Sequence, residues 1–398
     1  MIEKPNIVIA GAGLVGLSFA LCMKARGLSI QILETHLPEI ITQSQTDSRP
    51  ISLSFGSVRI LKALGVWDAL EKVACPILSV HVSEQGRFGT TCFSAQEQNV
   101  PALGYVVPFA QLQSALYREA ASQPDIEITS IQSIQTIQTD ENGVILEINL
   151  RHEKYRPNAN LFIAADGTYS KCRDLLGISH TEKNHGDVAR IYQLQLSENH
   201  DHTAYERFTK QGVLAILSLY EKNKAQLVWT ITPRIAKKIN DWDDEKILLF
   251  LQDAFEGRLA ISNAKKSAEF PLKTIIAEKQ IAPSAVLLGN AAHTIYPVAA
   301  QGFNLGLHDA ALLSDCIRRD AIYHVSDLQK YETQVSAHQQ KIFCITDQLI
   351  SLFDLPLMGG LRGLGLFTTD LMSPLKNNLA KRTMGIAEKL PRILRRYE

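Results

Sequence analysis

The chain has 398 residues, 45% hydrophobic and 21% charged, and its 41 basic residues are balanced by 41 acidic ones. That size and balance suit an ordinary globular enzyme of up to two domains, and they exclude a global field that would attract nucleic acid. The six cysteines form no CxxC pair, and no His/Cys group has metal-ligand spacing, so the expectation is scattered reduced thiols, no disulfide framework and no metal.

The first apolar run is NIVIA (Asn6–Ala10), short enough for a buried parallel strand. Gly11-Ala12-Gly13-Leu14-Val15-Gly16 follows at once. LSFALCMKARG (Leu17–Gly27) reads as a helix stopped by glycine, and SIQILE (Ser29–Glu34) as a second strand ending in an acid. Strand, GxGxxG, helix, strand and acid together make the dinucleotide-binding fingerprint in its full context. Gly11 permits the tight turn, Gly13 lets the backbone approach a pyrophosphate at the helix N-terminus, and Gly16 lets helix and strand pack closely. Glu34, with Thr35 beside it, stands where an acid accepts from ribose hydroxyls. The fingerprint alone leaves FAD and NAD(P) both open. Because the chain starts almost directly on this strand, no cleaved export signal is expected.

Two later segments repeat the theme of a strand ending in polar and small residues. ANLFIAADGTYSKCR (Ala159–Arg173) is an apolar strand that runs into Asp166-Gly167 and then Arg173. AVLLGNAAHTIYPVAAQGFNLGLHD (Ala285–Asp309) is another, ending at Gly289-Asn290. It continues through a loop with His293 and Pro297 to a helix starting near Gln301-Gly302-Phe303-Asn304. Strand ends of this kind point into the crevice where α/β sheets bind ligands. Small residues let the N–H groups of that helix approach a flat ring, and its positive end favours negative charge developing there.

Between these segments, Val188–Ser197, Thr203–Thr209, Gly212–Tyr220 and Ala225–Thr232 are rich in β-formers. They suggest an antiparallel sheet with one face toward a substrate pocket, where Trp229 and Tyr220 either line the pocket or join the core. Asp243–Phe255 has helical periodicity, and long helices are expected from Asp327 onward. The most apolar stretch, Leu349–Phe367, is broken by Asp354, Pro356 and Arg362, so no membrane span is expected. Residues 376–398 carry seven basic residues against two acidic ones. They read either as a solvated helix face or as a surface for anionic lipid or a partner protein.

Together, GAGLVG, AADGTYSKCR and GNAAHTIYPVAAQGFNLGLHD resemble the class A FAD-dependent aromatic hydroxylases, which have the p-hydroxybenzoate hydroxylase fold. DSRPISLSFGSVRILKALGVW (Asp47–Trp67) and the C-terminal LFDLPLMGGLRGLGLFTTDLMSPLKNNLAKRTMG are similar to the ubiquinone-biosynthesis hydroxylases. Within that family, the 2-octaprenyl-6-methoxyphenol hydroxylase branch is the most alike. The resemblance implies an α/β fold. Its Rossmann-like FAD-binding domain is discontinuous, built from residues 1–75, 105–185 and 275–326. Residues 76–104 and 186–274 would form an antiparallel-sheet substrate domain, and 327–398 a C-terminal helical region.

By the same resemblance the cofactor is FAD and the electron donor NAD(P)H. The substrates are O₂ and a polyprenylphenol, whose ring is hydroxylated through a C4a-hydroperoxyflavin. Asp166, Gly167 and Arg173 match a motif implicated in FAD and NAD(P)H binding. Arg49 matches an arginine that contacts the flavin and can move with it. Gln113 stands near Ala110, where many relatives carry an arginine. Gly289, Asn290, Gln301, Gly302, Phe303 and Asn304 complete the candidate cofactor contacts. His293 is the candidate for acid–base work, because histidine titrates near neutral pH. Its competing role is to shape the loop, since the cofactor carries the chemistry. Pro297 fixes the path of that loop.

Three departures from the family pattern are Asn290 in place of an acid, Ala300 in place of a glycine, and the absence of the arginine near Ala110, where Gln111 and Gln113 stand. Ala300 and the missing arginine keep a second reading open: an FAD-stabilised, weakly catalytic assembly subunit working with other ubiquinone-biosynthesis proteins. The expected location is cytoplasmic, with peripheral contact at the inner face of the membrane.

Overall fold

The computed structural model describes residues 5–37, 49–87, 89–296, 302–317, 325–354, 373–387 and 391–396. Pro297, Ala300, Gln301 and the apolar stretch after Asp354 lie outside these described residues.

The first layer is a six-stranded sheet. Its strands run in the order Ile281–Ala282, Ala285–Leu287, Leu161–Ala164, Ile7–Ala10, Ile30–Glu34 and Ile126–Ser130. All neighbours are parallel except the edge pair Ile281–Ala282 and Ala285–Leu287. Both faces of the central strands are covered, so Ile7–Ala10, Leu161–Ala164 and Ala285–Leu287 are apolar and buried, with Ile7–Ala10 0–2% exposed. Burying each Val or Ile of this kind contributes about 1.5–3 kcal/mol. The register sets Ala10 beside Ala164, and Ala164 beside Leu287. Three chain segments far apart in sequence therefore leave the sheet at the same edge.

The helix Leu14–Cys22 is apolar on nearly all sides, and the structure buries eight of its nine residues. It packs against the helices Phe109–Ala121 and Gly302–Cys316. The long helix Val325–Asp354 lies against Gly302–Cys316 in turn, starting two residues before the expected Asp327.

The second layer is an eight-stranded sheet. Its order is His293–Thr294, Ile261–Ala277, His180–Leu196, Lys224–Ile231, Gly212–Ser218, Thr203–Thr209, Ser79–Glu84 and Thr90–Ser94. The four segments expected to form an antiparallel sheet do pair that way, and Thr203–Thr209 pairs in parallel on its other side with Ser79–Glu84. The sheet is also larger than its sequence suggested. Ile261–Ala277 is a 17-residue strand paired along His180–Leu196. Its polar residues, such as Lys265, Lys266 and Glu269, are exposed and hide the strand pattern. The helix Asp244–Phe255 covers one face, and the Asp243 side chain caps it by accepting from the Lys246 N–H at 2.8 Å. Trp229, 0% exposed, stacks on Phe250 under that helix with ring centroids 4.9 Å apart, while Tyr220 is 61% exposed at a strand end. Trp229 therefore belongs to the core on the helix side.

The opposite face carries a smaller apolar cluster of Ala189, Leu272 and Tyr296 against Val228. His293–Thr294 pairs with Ile275–Ile276 and so joins this sheet to the segment that leaves the first sheet at Gly289. Among the described residues, no helix is long and apolar enough to cross a membrane.

Candidate cofactor site

Gly11 has φ +106°, a conformation natural to glycine, and an added Cβ would strike the Ala165 carbonyl. The fingerprint turn is thus pressed against the segment before Asp166. Gly16 lies on the Gly11 carbonyl, which lets the helix sit close to the strand end. Gly13 is different. It is the N-cap of the helix Leu14–Cys22, with φ −75° and ψ 178°, and a Cβ there meets nothing within 4 Å among the described residues. The helix has no side-chain cap and no acid in its first turn. Its first N–H groups and its positive dipole end therefore face open space, a ready anion site.

The Glu34 carboxylate holds this turn. One oxygen accepts from the Ala12 N–H at 2.6 Å, and the other from the His36 N–H at 2.9 Å and the Thr35 hydroxyl at 3.2 Å.

The second motif is built by Asp166. Its carboxylate accepts from the Ser170 hydroxyl and from the Cys172 N–H, and Ser170 in turn caps the short helix Lys171–Leu175 by accepting from the Arg173 N–H at 2.9 Å. Gly167, at φ +92°, leaves open space above it. Arg173 is no surface residue: it is 2% exposed and donates to the Ala291 carbonyl at 3.1 Å. The Asn290 amide donates to the Thr168 hydroxyl at 3.3 Å, and the Thr294 hydroxyl donates to the same atom at 3.1 Å. These bonds lock the second motif to the third.

The third motif closes on the first through Val15. Gly289 has φ +58°, and a Cβ there or at Gly306 would sit 2.9 Å from a Val15 methyl. Gly11, Val15, Ala165, Gly289 and Gly306 thus form one contact chain across segments up to 295 residues apart in sequence. Gly302 opens its helix with no neighbour to a Cβ within 4 Å among the described residues. Leu14 and Phe303 pack into the core beside the site. Asn304 is turned to the protein: its amide oxygen accepts from the Ser54 N–H at 2.9 Å and its NH₂ donates to the Ser52 carbonyl at 3.0 Å. It pins the helix to the strand Pro50–Ser54.

Arg49 precedes that strand. Its guanidinium lies 5.3 Å from the Phe109 ring centre and 5.7 Å from that of Phe270, at the junction of the two layers. Gln113 is half-buried on the helix that Phe109 begins.

His293 is 1% exposed, and its Nε2 lies 2.9 Å from Asp309 Oδ2. Gln339 Nε2 donates to the same oxygen at 2.7 Å, and Gln280 bonds to Gln339 in turn. Burial alone would raise the Asp309 carboxyl, but hydrogen bonds and charge from His293 and His308 hold it down to about 2. His293 therefore ties the strand before the loop to the helix after it. Sequence reasoning missed Asp309 as its partner. The signal was faint: Asp309 lies seven residues after Gly302, on the same face of the helix.

The donor set suits a long dinucleotide. An uncapped helix N-terminus meets open space at Gly13, a carboxylate stands at the end of the second strand, and a second helix opens at Gly302. Comparison with known proteins agrees. The model of a family described as an FAD binding domain matches residues 4–343, and the chain belongs to that family.

The 3-demethoxyubiquinol 3-hydroxylase of Escherichia coli (strain K12) is 28% identical over 96% of this chain and 99% of its own length. Ubiquinone hydroxylase UbiM of Neisseria meningitidis is 27% identical, covering 96% and 84%. Among solved structures, p-nitrophenol 4-monooxygenase PnpA from Pseudomonas putida shares the fold with a TM-score of 0.77 at 14% identity, over 98% of this chain and 100% of that one. The flavin-dependent monooxygenase PieE, solved with FAD and substrate, does so at 0.66 and 16%, over 96% and 71%. FAD is the cofactor of this chain, and flavin-dependent monooxygenation is its class of reaction.

Proposed function

We propose that this chain hydroxylates the aromatic ring of a polyprenylphenol in ubiquinone biosynthesis, with NAD(P)H as electron donor. The observation that carries the reading is the contact chain through Val15, which gathers all three motifs at one sheet edge. Relatives named as ubiquinone hydroxylases, matched over nearly the whole chain, support the choice of substrate.

FAD, once reduced, activates O₂ so that one oxygen atom enters the ring and the other leaves as water. The chain's own residues bind, orient and shield. The free N–H groups after Gly13 take the pyrophosphate, and Glu34 takes ribose hydroxyls. Asp166 and Asn290 would hold the middle of the cofactor, with Arg173 fixing their turns through the Ala291 carbonyl. The opening of the helix at Gly302 and Phe303 would hold the ring. Arg49, between Phe109 and Phe270, closes the junction of the two layers against water. The face bearing Ala189, Val228, Leu272 and Tyr296 receives the phenol, and Tyr296 is steadied by its bond to Asp187 at 2.7 Å.

His293 positions the loop through Asp309 and carries no proton in the reaction. In this reading residues 1–75, 105–185 and 275–326 are the cofactor part, while 76–104 and 186–274 carry the substrate. The basic segment after 376 brings the enzyme to a membrane surface or a partner.

The test is turnover under ¹⁸O₂ with FAD, NAD(P)H and a short-tailed prenylphenol. One ¹⁸O atom in the product ring is expected. Full NAD(P)H oxidation with peroxide as the sole product, even with other ubiquinone-biosynthesis proteins added, would favour the assembly role instead.

A further inference from the structure

Away from the cofactor residues, the fold gathers three potential metal ligands that sequence spacing did not flag. Cys75 begins the strand Cys75–Ile77, and His200 and His202 lie on the turn before Thr203–Thr209. One donor atom from each lies within 4.8 Å of the others. Cys75 Sγ is 3.4 Å from His202 Nδ1. The edge of a tetrahedral zinc centre is about 3.5 Å, given Zn–S and Zn–N bonds of about 2.3 and 2.0 Å.

The turn is held firmly. The His202 carbonyl accepts from the Leu78 N–H at 2.9 Å, and the Thr203 N–H donates to the His200 carbonyl at 3.0 Å. Asp201 and His202 are both left-handed, at φ 47° and 56°, a strained pair kept without glycine. His200 is held as a neutral ring. Its Nδ1 accepts from the His202 N–H at 3.0 Å, and its Nε2 donates to the Leu219 and Glu221 carbonyls. Cys75 and His202 also line a cavity of about 380 Å³, with Glu221 and Tyr220 on its wall. An ion can enter from that side, and the cavity leaves a fourth position for water.

We propose that Cys75, His202 and His200 form a site for a thiophilic d¹⁰ cation such as Zn²⁺. Thiolate and imidazole donors select this class over hard, oxygen-loving ions. On binding, Sγ and His202 Nδ1 exchange their mutual contact for bonds to the ion, and the thiol proton passes to solvent. His200 exchanges its bond from the His202 N–H for the third ligand bond. No electron moves. The bound ion ties the strand Cys75–Ile77 to the turn before Thr203–Thr209.

The test uses the full chain loaded with FAD and stripped of metal. Cd²⁺ is titrated while the ultraviolet thiolate-to-cadmium absorption is followed, and Zn²⁺ is scored by the rise in Tm. One equivalent is expected, with the band retained in Cys92→Ser and lost in Cys75→Ser. Asparagine favours the left-handed conformation, so His202→Asn keeps the turn while removing the ligand. It should abolish the Zn²⁺-induced rise in Tm while leaving the metal-free Tm unchanged. Absence of the band in the unaltered chain overturns the site. So does its survival in Cys75→Ser. If Cys75→Ser lowers the metal-free Tm, unchanged Cd²⁺ affinity in His202→Asn overturns it.

Discussion

A Gly13→Val variant is expected to fold and to lose its yellow colour. Gly13 has an ordinary φ of −75°, and a Cβ there meets no described atom within 4 Å. Valine therefore costs the fold little beyond a poorer N-cap, about 1 kcal/mol. The space it fills is the space an anion must cross to reach the uncapped N–H groups of Leu14–Cys22. FAD affinity should fall about 100-fold or more, equivalent to about 2.7 kcal/mol. Flavin absorbance per chain measures the loss, and thermal unfolding reports whether the fold survives. Gly11→Val is the contrast, because φ +106° and the Ala165 carbonyl exclude a side chain there. That variant should lose fold and flavin together. A Gly13→Val protein with normal flavin content would place the pyrophosphate somewhere else.

An Asp309→Ala variant should lose about 3–5 kcal/mol of stability, because it breaks a buried pair and strands both partners. His293 and Gln339 each lose their bond to the same carboxylate oxygen. The effect depends on pH. The folded state holds the carboxyl down at about 2, against an ordinary 3.8. The fold thus favours the charged form. Its stabilisation, about 2 kcal/mol, is fully present above about pH 4 and disappears as pH falls through about 2. Urea unfolding of the unaltered chain and Asp309→Asn across pH 2–6 measures this. The gap between them should narrow toward pH 2. Equal midpoints for the unaltered chain and Asp309→Ala at neutral pH would mean that the His293 contact stabilises nothing.

The parts of the fold that were legible rest on short-range chemistry. Apolar runs such as NIVIA and LFIA have to be buried, and each ends at small residues that a turn requires, so the parallel sheet could be read before it was seen. The strand Ile261–Ala277 could not. It is paired along one side with His180–Leu196 and on the other only at Ile275–Ile276, is exposed along much of its length, and its lysines and glutamate break the alternating pattern. The parallel pairing of Thr203–Thr209 with Ser79–Glu84 depends on a crossover of more than a hundred residues, which no local pattern encodes.

Within the candidate site, glycines that need a special φ or a close neighbour declared themselves, as Gly11 and Gly289 do. The partners of polar side chains did not. Arg173 reads as a cofactor contact, and its buried bond to the Ala291 carbonyl could not be foreseen from the sequence. Asn304 reads as a ligand contact, yet its amide is turned to Ser52 and Ser54. Cys75 and His202, 127 residues apart, meet because Ser79–Glu84 pairs in parallel with Thr203–Thr209.

The most direct measurement is a crystal structure of the chain with FAD bound. The pyrophosphate should lie against the N–H groups following Gly13, the middle of the cofactor should pass between Asp166 and Gly289, and the ring should rest beside Gly302. A flavin held in a cavity that touches only one of these segments would contradict the single shared site on which the hydroxylase reading depends.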